Sequence, residues 1–290
     1  PREAAGSPIP DSGAYLGVKQ MSEEELFATP GLQAVAIETE VPHLVAAAKR
    51  AVGAGLHIHH DKPGGTTLGD FRELLRLAKR NGVTVQMGYM LRYNPAFQFM
   101  YRAVRDGWLG EIMEIDGMMG KMASASLRRE LGRYAGGGMF ELACHMVDSV
   151  VHVMGKPAKV HAFARRTQGD GVADNQLAVL EYENATATIR CNHRDPHGFP
   201  RRRFQIAGDR GAIEIRPIEP GKLTLSLTEA HGGFGRGTHE VKLPRSNGRY
   251  DGEFADLARV IRGEAKLAWS YEHDLAVQET LLRASGMEVK

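Results

Sequence analysis

The amino-acid sequence predicts an α/β protein in which a parallel sheet is followed by an α+β domain with a mostly antiparallel open sheet. Strand-like and helix-like runs alternate over the first hundred residues with short joins, which is typical of parallel strands with crossover helices. Several strand-like runs then follow one another without helices, as in antiparallel sheets. The 290 residues suffice for two domains, which we expect at residues 1–95 and 96–290.

The first half alternates short strand-like runs with helices that end at Gly or Asn. Residues 1–17 are rich in Pro, Gly, Ser and Ala and predict a loop. Ser22, followed by three glutamates, predicts a short capped helix. The predicted order is then strand Gly31–Ile37, helix Val45–Val52, strand Leu56–His59, helix Leu68–Arg80 and strand Val83–Gly88.

The pattern changes after Asn94-Pro95. Helices are predicted at Phe97–Asp106, Gly138–Val153, Phe254–Arg262 and Asp274–Gly286. Strands are predicted at Ile112–Met118, Lys159–Arg165, Asn175–Tyr182, Ala185–Cys191, Arg203–Ala207, Ala212–Ile215 and Leu223–Thr228. The glycine-rich run Gly232–Gly237 predicts a flexible loop.

Composition excludes several classes of protein. The formal net charge of +2 is too small to predict binding to nucleic acid or an anionic membrane. Two cysteines, Cys144 and Cys191, provide no disulfide framework, and no apolar run reaches the length of a membrane helix. We expect a cytoplasmic protein, although a periplasmic location stays open because the sequence begins with Pro1.

Two segments carry residues suited to chemistry. Lys62-Pro63 follows a strand, where a lysine can hold a hydroxyl oxygen and stabilise a developing alkoxide. A loop lysine before a turn proline is the alternative interpretation. In the second segment, Glu141 and His145 lie four apart and predict a shared helix face beside a glycine turn. Imidazole is a general base near neutral pH, although an ordinary surface Glu–His pair is equally compatible with this spacing.

Taken together, these motifs resemble the Gfo/Idh/MocA oxidoreductases, named for glucose-fructose oxidoreductase and inositol dehydrogenase. The resemblance covers nearly the whole chain in the expected order. It rests on Ala54–His57 for A-G-K-H, Asp61–Pro63 for E-K-P, Arg92–Pro95 for R-x-x-P, Gly136–Asp148 for G-G-x-x-x-D-x-G-x-H-x-x-D, and Phe204–Ile213 for a late strand–turn–strand.

The resemblance implies a partial Rossmann-type first domain and NAD(P)-dependent oxidation of a secondary alcohol in a sugar, glycoside or cyclitol. It implies catalytic roles for Lys62, His145 and Glu141. It also implies that the cofactor is bound by Thr39, His43, Asp61, Lys62, Pro63 and Arg92. Substrate contacts are expected at Lys121, Tyr134, Asp148, Asn192 and His193. We expect a homodimer or homotetramer, paired through the outer face of the second domain's sheet.

Several positions depart from the family pattern. Glu141 stands where Asp is usual, Ala143 where Gly is usual, Asp61 where Glu is usual, and Glu40 where the family has proline. No G-x-G-x-x-G turn, the site that binds the pyrophosphate, precedes Gly31. We therefore expect the first βαβ unit of the Rossmann domain to be missing from this sequence.

Two other functions stay open. His57, His59 and His60 with Asp61 are candidate metal ligands, because residues two apart on a strand point the same way. A metal-dependent hydrolase could complete such a site with His145, Asp148 or His193. The other alternative is a non-catalytic sugar-binding relative. Within the enzyme class, glycoside cleavage by transient oxidation is also compatible with the sequence. We expect no metal in the favoured interpretation.

Overall fold

A computed structural model describes residues 17–244 and 248–290, so the predicted loop at residues 1–17 lies, apart from Gly17, outside the described residues. The chain first forms α1 (Glu23–Phe27), in which the Ser22 side chain accepts from the Glu25 amide. A three-stranded parallel sheet follows, in the order β1-β2-β3, as the alternating pattern predicted. Its elements are β1 (Ala34–Ile37), α2 (Val41–Gly53), β2 (His57–Asp61), α3 (Leu68–Asn81) and β3 (Val85–Gly88).

Local sequence explains where these elements begin and end. The Thr67 side chain caps α3, and Gly82 ends that helix in the left-handed conformation that glycine adopts easily. A 3-10 turn at Met90–Tyr93 then leads into α4 (Pro95–Arg105), where Pro95 occupies the first turn. The chain passes here from one sheet to the other, and the two-domain division at residue 95 stays a prediction.

The second sheet has eight strands in the order β11-β10-β9-β8-β4-β7-β6-β5. All neighbours are antiparallel except β4 and β7. This confirms a mostly antiparallel sheet. Its strands are β4 (Ile112–Gly120), β5 (Lys159–Arg165), β6 (Asn175–Glu181), β7 (Thr186–Asn192), β8 (Arg203–Gly208), β9 (Gly211–Ile215), β10 (Leu223–Leu227) and β11 (Gly237–Val241). The predicted loop Gly232–Gly237 therefore runs directly into a strand that the sequence did not predict.

The remaining helices pack on this sheet or link it to the first one. They are α5 (Ala125–Leu131), α6 (Gly137–Glu141), α7 (Cys144–Met154), α8 (Gly198–Arg201), α9 (Asp251–Ile261) and α10 (Tyr271–Ala284). Helix α7 is buried over most of its length. Helix α10 contacts both α7 and α3, so it ties the two sheets together. None of the helices in the described ranges combines the length and apolar composition that a bilayer-spanning helix requires.

The predicted single helix Gly138–Val153 is wrong, because the chain breaks at Leu142 and Ala143 between α6 and α7. At this point the Glu141 carbonyl oxygen accepts a hydrogen bond from the Lys62 ammonium at 2.9 Å. A side chain from the other sheet thus takes an acceptor that a continuous helix would use internally. The break separates Glu141 from His145, which the sequence had placed on one helix face.

Candidate active site

The loop after β2 places Lys62 against the end of α6, with 19% of its side chain exposed. Its ammonium lies 2.9 Å from the Glu141 carbonyl oxygen and 3.7 Å from the Glu141 carboxylate. Burial opposes the charged form, but the nearby Glu141 and Asp61 carboxylates raise the pKa of Lys62 above its ordinary value. Lys62 therefore stays protonated, and its contacts with Glu141 position the charge at the end of α6.

Glu141 is the centre of the polar cluster. Its carboxylate accepts from His193 Nε2 at 3.2 Å and from Lys121 Nζ at 3.2 Å. Burial would raise the pKa of Glu141, but the His193 hydrogen bond and the Lys62 and Lys121 charges hold it well below its usual range. Glu141 is thus a carboxylate that joins three side chains from three different elements.

His145 lies in the first turn of α7 and is 4% exposed. Its Nδ1 has no hydrogen-bond partner among the described residues, and its ring stands edge-on to Tyr89 at 5.9 Å. Burial, together with the Lys62 charge, lowers the pKa of His145 to about 3. The pKa near neutrality expected from the sequence is thus displaced, and the ring is neutral at physiological pH.

The expected pairing of Glu141 with His145 is replaced by a pairing of Glu141 with His193. The His193 side chain is fully buried, and its Nδ1 lies 3.8 Å from Cys191 Sγ. Gly138 permits this arrangement, since a side chain at this position would overlap the His193 ring. His193, expected to contact substrate, is enclosed behind Glu141.

Arg92 and Asp148 belong to a buried ion-pair network. The Arg92 guanidinium lies 2.7 Å from Asp148 and 2.6 Å from Asp274, and His273 also contacts Asp148 at 3.1 Å. Asp148 has no exposed surface and Arg92 is 2% exposed. The structure therefore encloses both side chains, whereas the sequence predicted that Arg92 contacts the cofactor and that Asp148 contacts the substrate.

The other predicted site residues each have their own surroundings. The Tyr134 hydroxyl is buried and has no hydrogen-bond partner among the described residues. Asn192 ends β7, and its side-chain oxygen accepts from the Arg194 amide at 2.7 Å. Thr39 follows β1, and its hydroxyl donates to the Glu40 carbonyl at 3.3 Å. His43 is exposed in the first turn of α2. Pro63 is buried, and its peptide bond with Lys62 is cis.

The three histidines of β2 have separate contacts. His57 Nδ1 accepts from the Thr84 amide at 3.0 Å, and His59 Nε2 lies 2.9 Å from Glu253. His60 is fully buried and stacks on Phe71. Within residues 17–244 and 248–290, no three His, Cys, Asp or Glu side chains are grouped to hold a metal ion. The proposed ligand set of the hydrolase alternative is thus dispersed.

Sequence reasoning missed three contributors to this region. Asp274 and His273 on α10 complete the Arg92 network, and Tyr250 acts electrostatically on Lys62. No local motif marks these residues, because each reaches Arg92 or Lys62 only through the packing of a distant helix or loop. A glutamine facing a glycine loop was another missed signal, since Gln278 binds Gly64 and Gly65 directly after the Lys62–Pro63 turn.

Lys62 directly follows the carboxyl end of β2 in the three-stranded parallel sheet. The carboxyl ends of such strands are where α/β sheets bind dinucleotides. The buried Tyr134 hydroxyl and His145 Nδ1 have no partner in the described part of the chain, so polar groups are available for a ligand. Lys62 and Thr39 are the described residues that would hold the ribose side.

Comparison with known families gives two matches. Residues 11–89 match the model of an oxidoreductase family with a NAD-binding Rossmann fold. Residues 97–214 match the GFO/IDH/MocA C-terminal domain. The two matches together take up well over half of the chain. They confirm the predicted resemblance, and the NAD-binding description confirms a nicotinamide dinucleotide as the expected cofactor.

Individual relatives are more distant. The trans-1,2-dihydrobenzene-1,2-diol dehydrogenase of Bos taurus is 28% identical over 163 residues, which cover 56% of this chain and 48% of that protein. The chain spans about half the length of several curated relatives that it matches. These similarities support a common family without fixing a substrate.

Solved structures share the fold at low identity. The aldose-aldose oxidoreductase of Caulobacter crescentus, complexed with glycerol, aligns with a TM-score of 0.78 and 20% identity, over 98% of this chain and 85% of its own. The WlbA dehydrogenase of Chromobacterium violaceum, in complex with NADH and UDP-GlcNAcA, aligns with a TM-score of 0.77 and 18% identity, over 91% and 77% of the two chains.

Proposed function

Because the chain belongs to the Gfo/Idh/MocA family of oxidoreductases, we propose that the protein transfers a hydride between a nicotinamide dinucleotide and a secondary alcohol of a sugar, glycoside or cyclitol. The observation that carries this proposal is the meeting of Lys62 with the Glu141–His145 segment. The Lys62 ammonium contacts Glu141, and its charge reaches the buried imidazole of His145. An ammonium, a carboxylate and a neutral imidazole then surround one reacting alcohol.

Lys62 binds the hydroxyl oxygen of the alcohol in this proposal. A fixed cation stabilises negative charge as it develops on that oxygen, and the effect is strong where water is excluded. The Glu141 carbonyl and carboxylate hold the ammonium in place, so no rearrangement is needed when substrate arrives.

His145 receives the hydroxyl proton. Its depressed pKa keeps the ring neutral and able to accept, and its Nδ1 makes no competing hydrogen bond within the described residues. A bound nicotinamide would accept the hydride from the carbon that bears this hydroxyl group. Thr39 and Lys62 would hold the ribose side, with His43, Asp61 and Pro63 along the same edge.

The surrounding residues orient the reacting groups. Glu141 positions Lys62 and Lys121, and His193 positions Glu141. Lys121 and Tyr134 face the substrate in this scheme, and Asn192 holds the turn that follows β7. Arg92 and Asp148 act as positioning residues, because they fix α7, on which His145 lies, against the turn after β3 and against α10.

The proposed substrate class is supported by the relatives. The solved structures include an aldose-aldose oxidoreductase and a dehydrogenase in complex with a UDP-sugar, and a curated relative is named as a diol dehydrogenase. Each of these substrates carries a carbinol of the kind proposed here. We also propose a cytoplasmic homodimer or homotetramer that pairs through the outer face of the eight-stranded sheet.

Turnover by the native full-length protein tests the proposal directly. NAD⁺ or NADP⁺ is supplied with a panel of sugars, glycosides and cyclitols, and absorbance of the reduced nicotinamide is followed. We expect activity with at least one polyol, and Lys62→Met and His145→Gln should each lower turnover by about 10²-fold or more. Lys79→Met, at an exposed position in the last turn of α3, is the matched control. Undiminished turnover in either site variant would remove that residue from the mechanism.

A further inference from the structure

Three arginines are buried in the described part of the chain, and one of them has a different environment. Arg92 lies within 2.7 Å of two carboxylates, and Arg128 makes two hydrogen bonds of 2.6 and 2.7 Å to Asp170. Arg202 is 6% exposed, yet its hydrogen bond runs from Nε to the Gly120 carbonyl at 3.1 Å. Its paired carboxylate, on Glu219, lies 3.8 Å from Nη1, beyond hydrogen-bond distance.

The Arg202 charge is therefore buried without a hydrogen-bonded counter-ion within residues 17–244 and 248–290. The Glu219 carboxylate is shared between two arginines: its Oε1 accepts from Arg249 at 2.8 Å, and its Oε2, which faces Arg202, makes no hydrogen bond to a described residue. Burial lowers the pKa of Arg202, whereas the carboxylates around Arg92 and Arg128 raise the pKa values of those two side chains. A guanidinium stays charged under these conditions, so Arg202 faces one carboxylate at ion-pair distance without a hydrogen bond to it.

The Arg202 guanidinium is joined to Glu141 through Gly120 and the following residue, Lys121. Arg202 directly follows α8, and Gly198 in that helix packs so closely on Gly120 and Lys121 that a side chain there would overlap them. Lys121 in turn contacts Glu141. The Phe199 ring covers the guanidinium at 4.3 Å, which limits competition from water.

We propose that Arg202 binds an oxyanion substituent of the substrate, a carboxylate or a phosphate, and so selects a sugar acid or sugar phosphate over the corresponding neutral sugar. The inference rests on the proposed function for the class of substrate, and on the incomplete pairing of Arg202 for the oxyanion. A planar guanidinium matches two oxygens of a carboxylate or phosphate through parallel hydrogen bonds. Such an anion would complete the pairing that Glu219 leaves open.

Calorimetric titration of the native full-length protein tests this inference without turnover. The ligands are matched sets: glucose with glucuronate and glucose 6-phosphate, and galactose with galacturonate and galactose 6-phosphate. The proteins are the wild type, Arg202→Met, Arg202→Lys and the control Arg203→Met. The control removes the same charge one residue along, where the side chain pairs with Asp116 instead.

In the wild type we expect one anionic sugar to bind at least about tenfold more tightly than its neutral counterpart, as one charged hydrogen-bonded contact provides. Arg202→Met should abolish that preference, while Arg202→Lys keeps part of it and Arg203→Met keeps all of it. Tighter binding of the uronate identifies a carboxylate, and tighter binding of the sugar phosphate identifies a phosphate.

Two results would overturn the inference: no anionic preference in any wild-type set, or a preference that persists in Arg202→Met. Thermal unfolding of each variant verifies folding, and Arg202→Lys provides a second test if Arg202→Met is unstable. Since these titrations need no hydride transfer, a protein that binds anionic sugars but oxidises none would contradict only the proposed function. A protein that oxidises neutral polyols without anionic preference would contradict only the role of Arg202.

Discussion

The carboxylate of Glu141 accepts a hydrogen bond from Nε2 of His193 at 3.2 Å, although His145 is much nearer to it in sequence. The two histidines thereby have different environments. His193 is bound to a carboxylate on one side and lies beside Cys191 on the other, whereas His145 Nδ1 has no partner within the described residues. The His193 imidazole is suited to orient the Glu141 carboxylate, and the His145 imidazole is suited to exchange a proton.

A double-mutant cycle measures how strongly Glu141 and His193 depend on each other. Glu141→Gln, His193→Gln and the double variant are unfolded in urea, and we expect a coupling of about 1–3 kcal/mol because the pair is largely buried and hydrogen-bonded. Glu23 and Arg50 form an ion pair on the surface between α1 and α2, with 43% and 56% of their side chains exposed.

The exposed pair should give a coupling of at most about 1 kcal/mol, since solvent screens it. Equal couplings in the two pairs would show that His193 does not hold Glu141. Turnover gives an independent reading. If His193 positions the acid, His193→Gln should lower kcat with little change in KM, because the substrate contacts themselves remain.

The Arg92 network is expected to be a major contributor to stability. Arg92→Met leaves Asp148 and Asp274 buried without their cation, and loss of one partner from a buried ion pair typically costs about 3–5 kcal/mol. Urea unfolding monitored by circular dichroism measures the change. Arg262→Met, which breaks an exposed pair with Glu264, is the control and should leave the urea midpoint unchanged. A small loss in Arg92→Met would show that His273 or solvent compensates the two carboxylates.

The sequence predicts the strands and helices of the first sheet well, because each has a simple signal. β2 and β3 are short runs that each follow a helix ending at glycine, and α3 carries a Thr67 cap and ends at Gly82. Family motifs then identify Lys62 and His145 as candidates. The break between α6 and α7 has no such signal, and the Glu141 carbonyl at this break accepts a hydrogen bond from Lys62, 79 residues away in the sequence.

The same limit applies to the residues that enclose Arg92. Asp148 belongs to a family motif that suggests contact with a ligand, yet it is paired with Arg92 and with His273 on the final helix. Strand β11 was missed for a different reason, because Gly237–Val241 lacks a continuous apolar run and pairs with β10 at the sheet edge. Local patterns predict elements, whereas contacts between distant elements decide which polar groups stay free.

Gly138 is expected to be essential for the geometry of the site. In Gly138→Ala the new methyl group would overlap the His193 ring and lie 3.1 Å from Cys191 Sγ, so His193 must move away from Glu141. Overpacking of this kind typically costs about 1–3 kcal/mol, and turnover should fall as well. Gly53→Ala is the matched control, because nothing lies within 4 Å of the added atom at the end of α2.

We expect Gly53→Ala to be neutral or to stabilise the protein by about 0.4–1 kcal/mol, since alanine lowers the entropy of the unfolded chain. Urea unfolding and steady-state kinetics are measured on both variants. Wild-type kinetics in Gly138→Ala would mean that the contact of His193 with Glu141 tolerates displacement.

His60 should make the protein sensitive to acid. Burial lowers the pKa of His60 to about 3, against an ordinary value of about 6.5 in an unfolded chain. Between these two pH values the unfolded state binds a proton that the folded state does not, so stability falls as the pH falls through this window.

His60→Leu removes that proton uptake and keeps an apolar side chain against Phe71. The slope of unfolding free energy against pH, measured by urea titration between pH 6 and 4, should decrease by up to about 1.4 kcal/mol per pH unit. The exposed His43 provides the control, His43→Leu, in which the slope should stay at its wild-type value. An unchanged slope in His60→Leu would mean that His60 accepts a proton in the folded protein, which the enclosed ring and its stacking on Phe71 argue against.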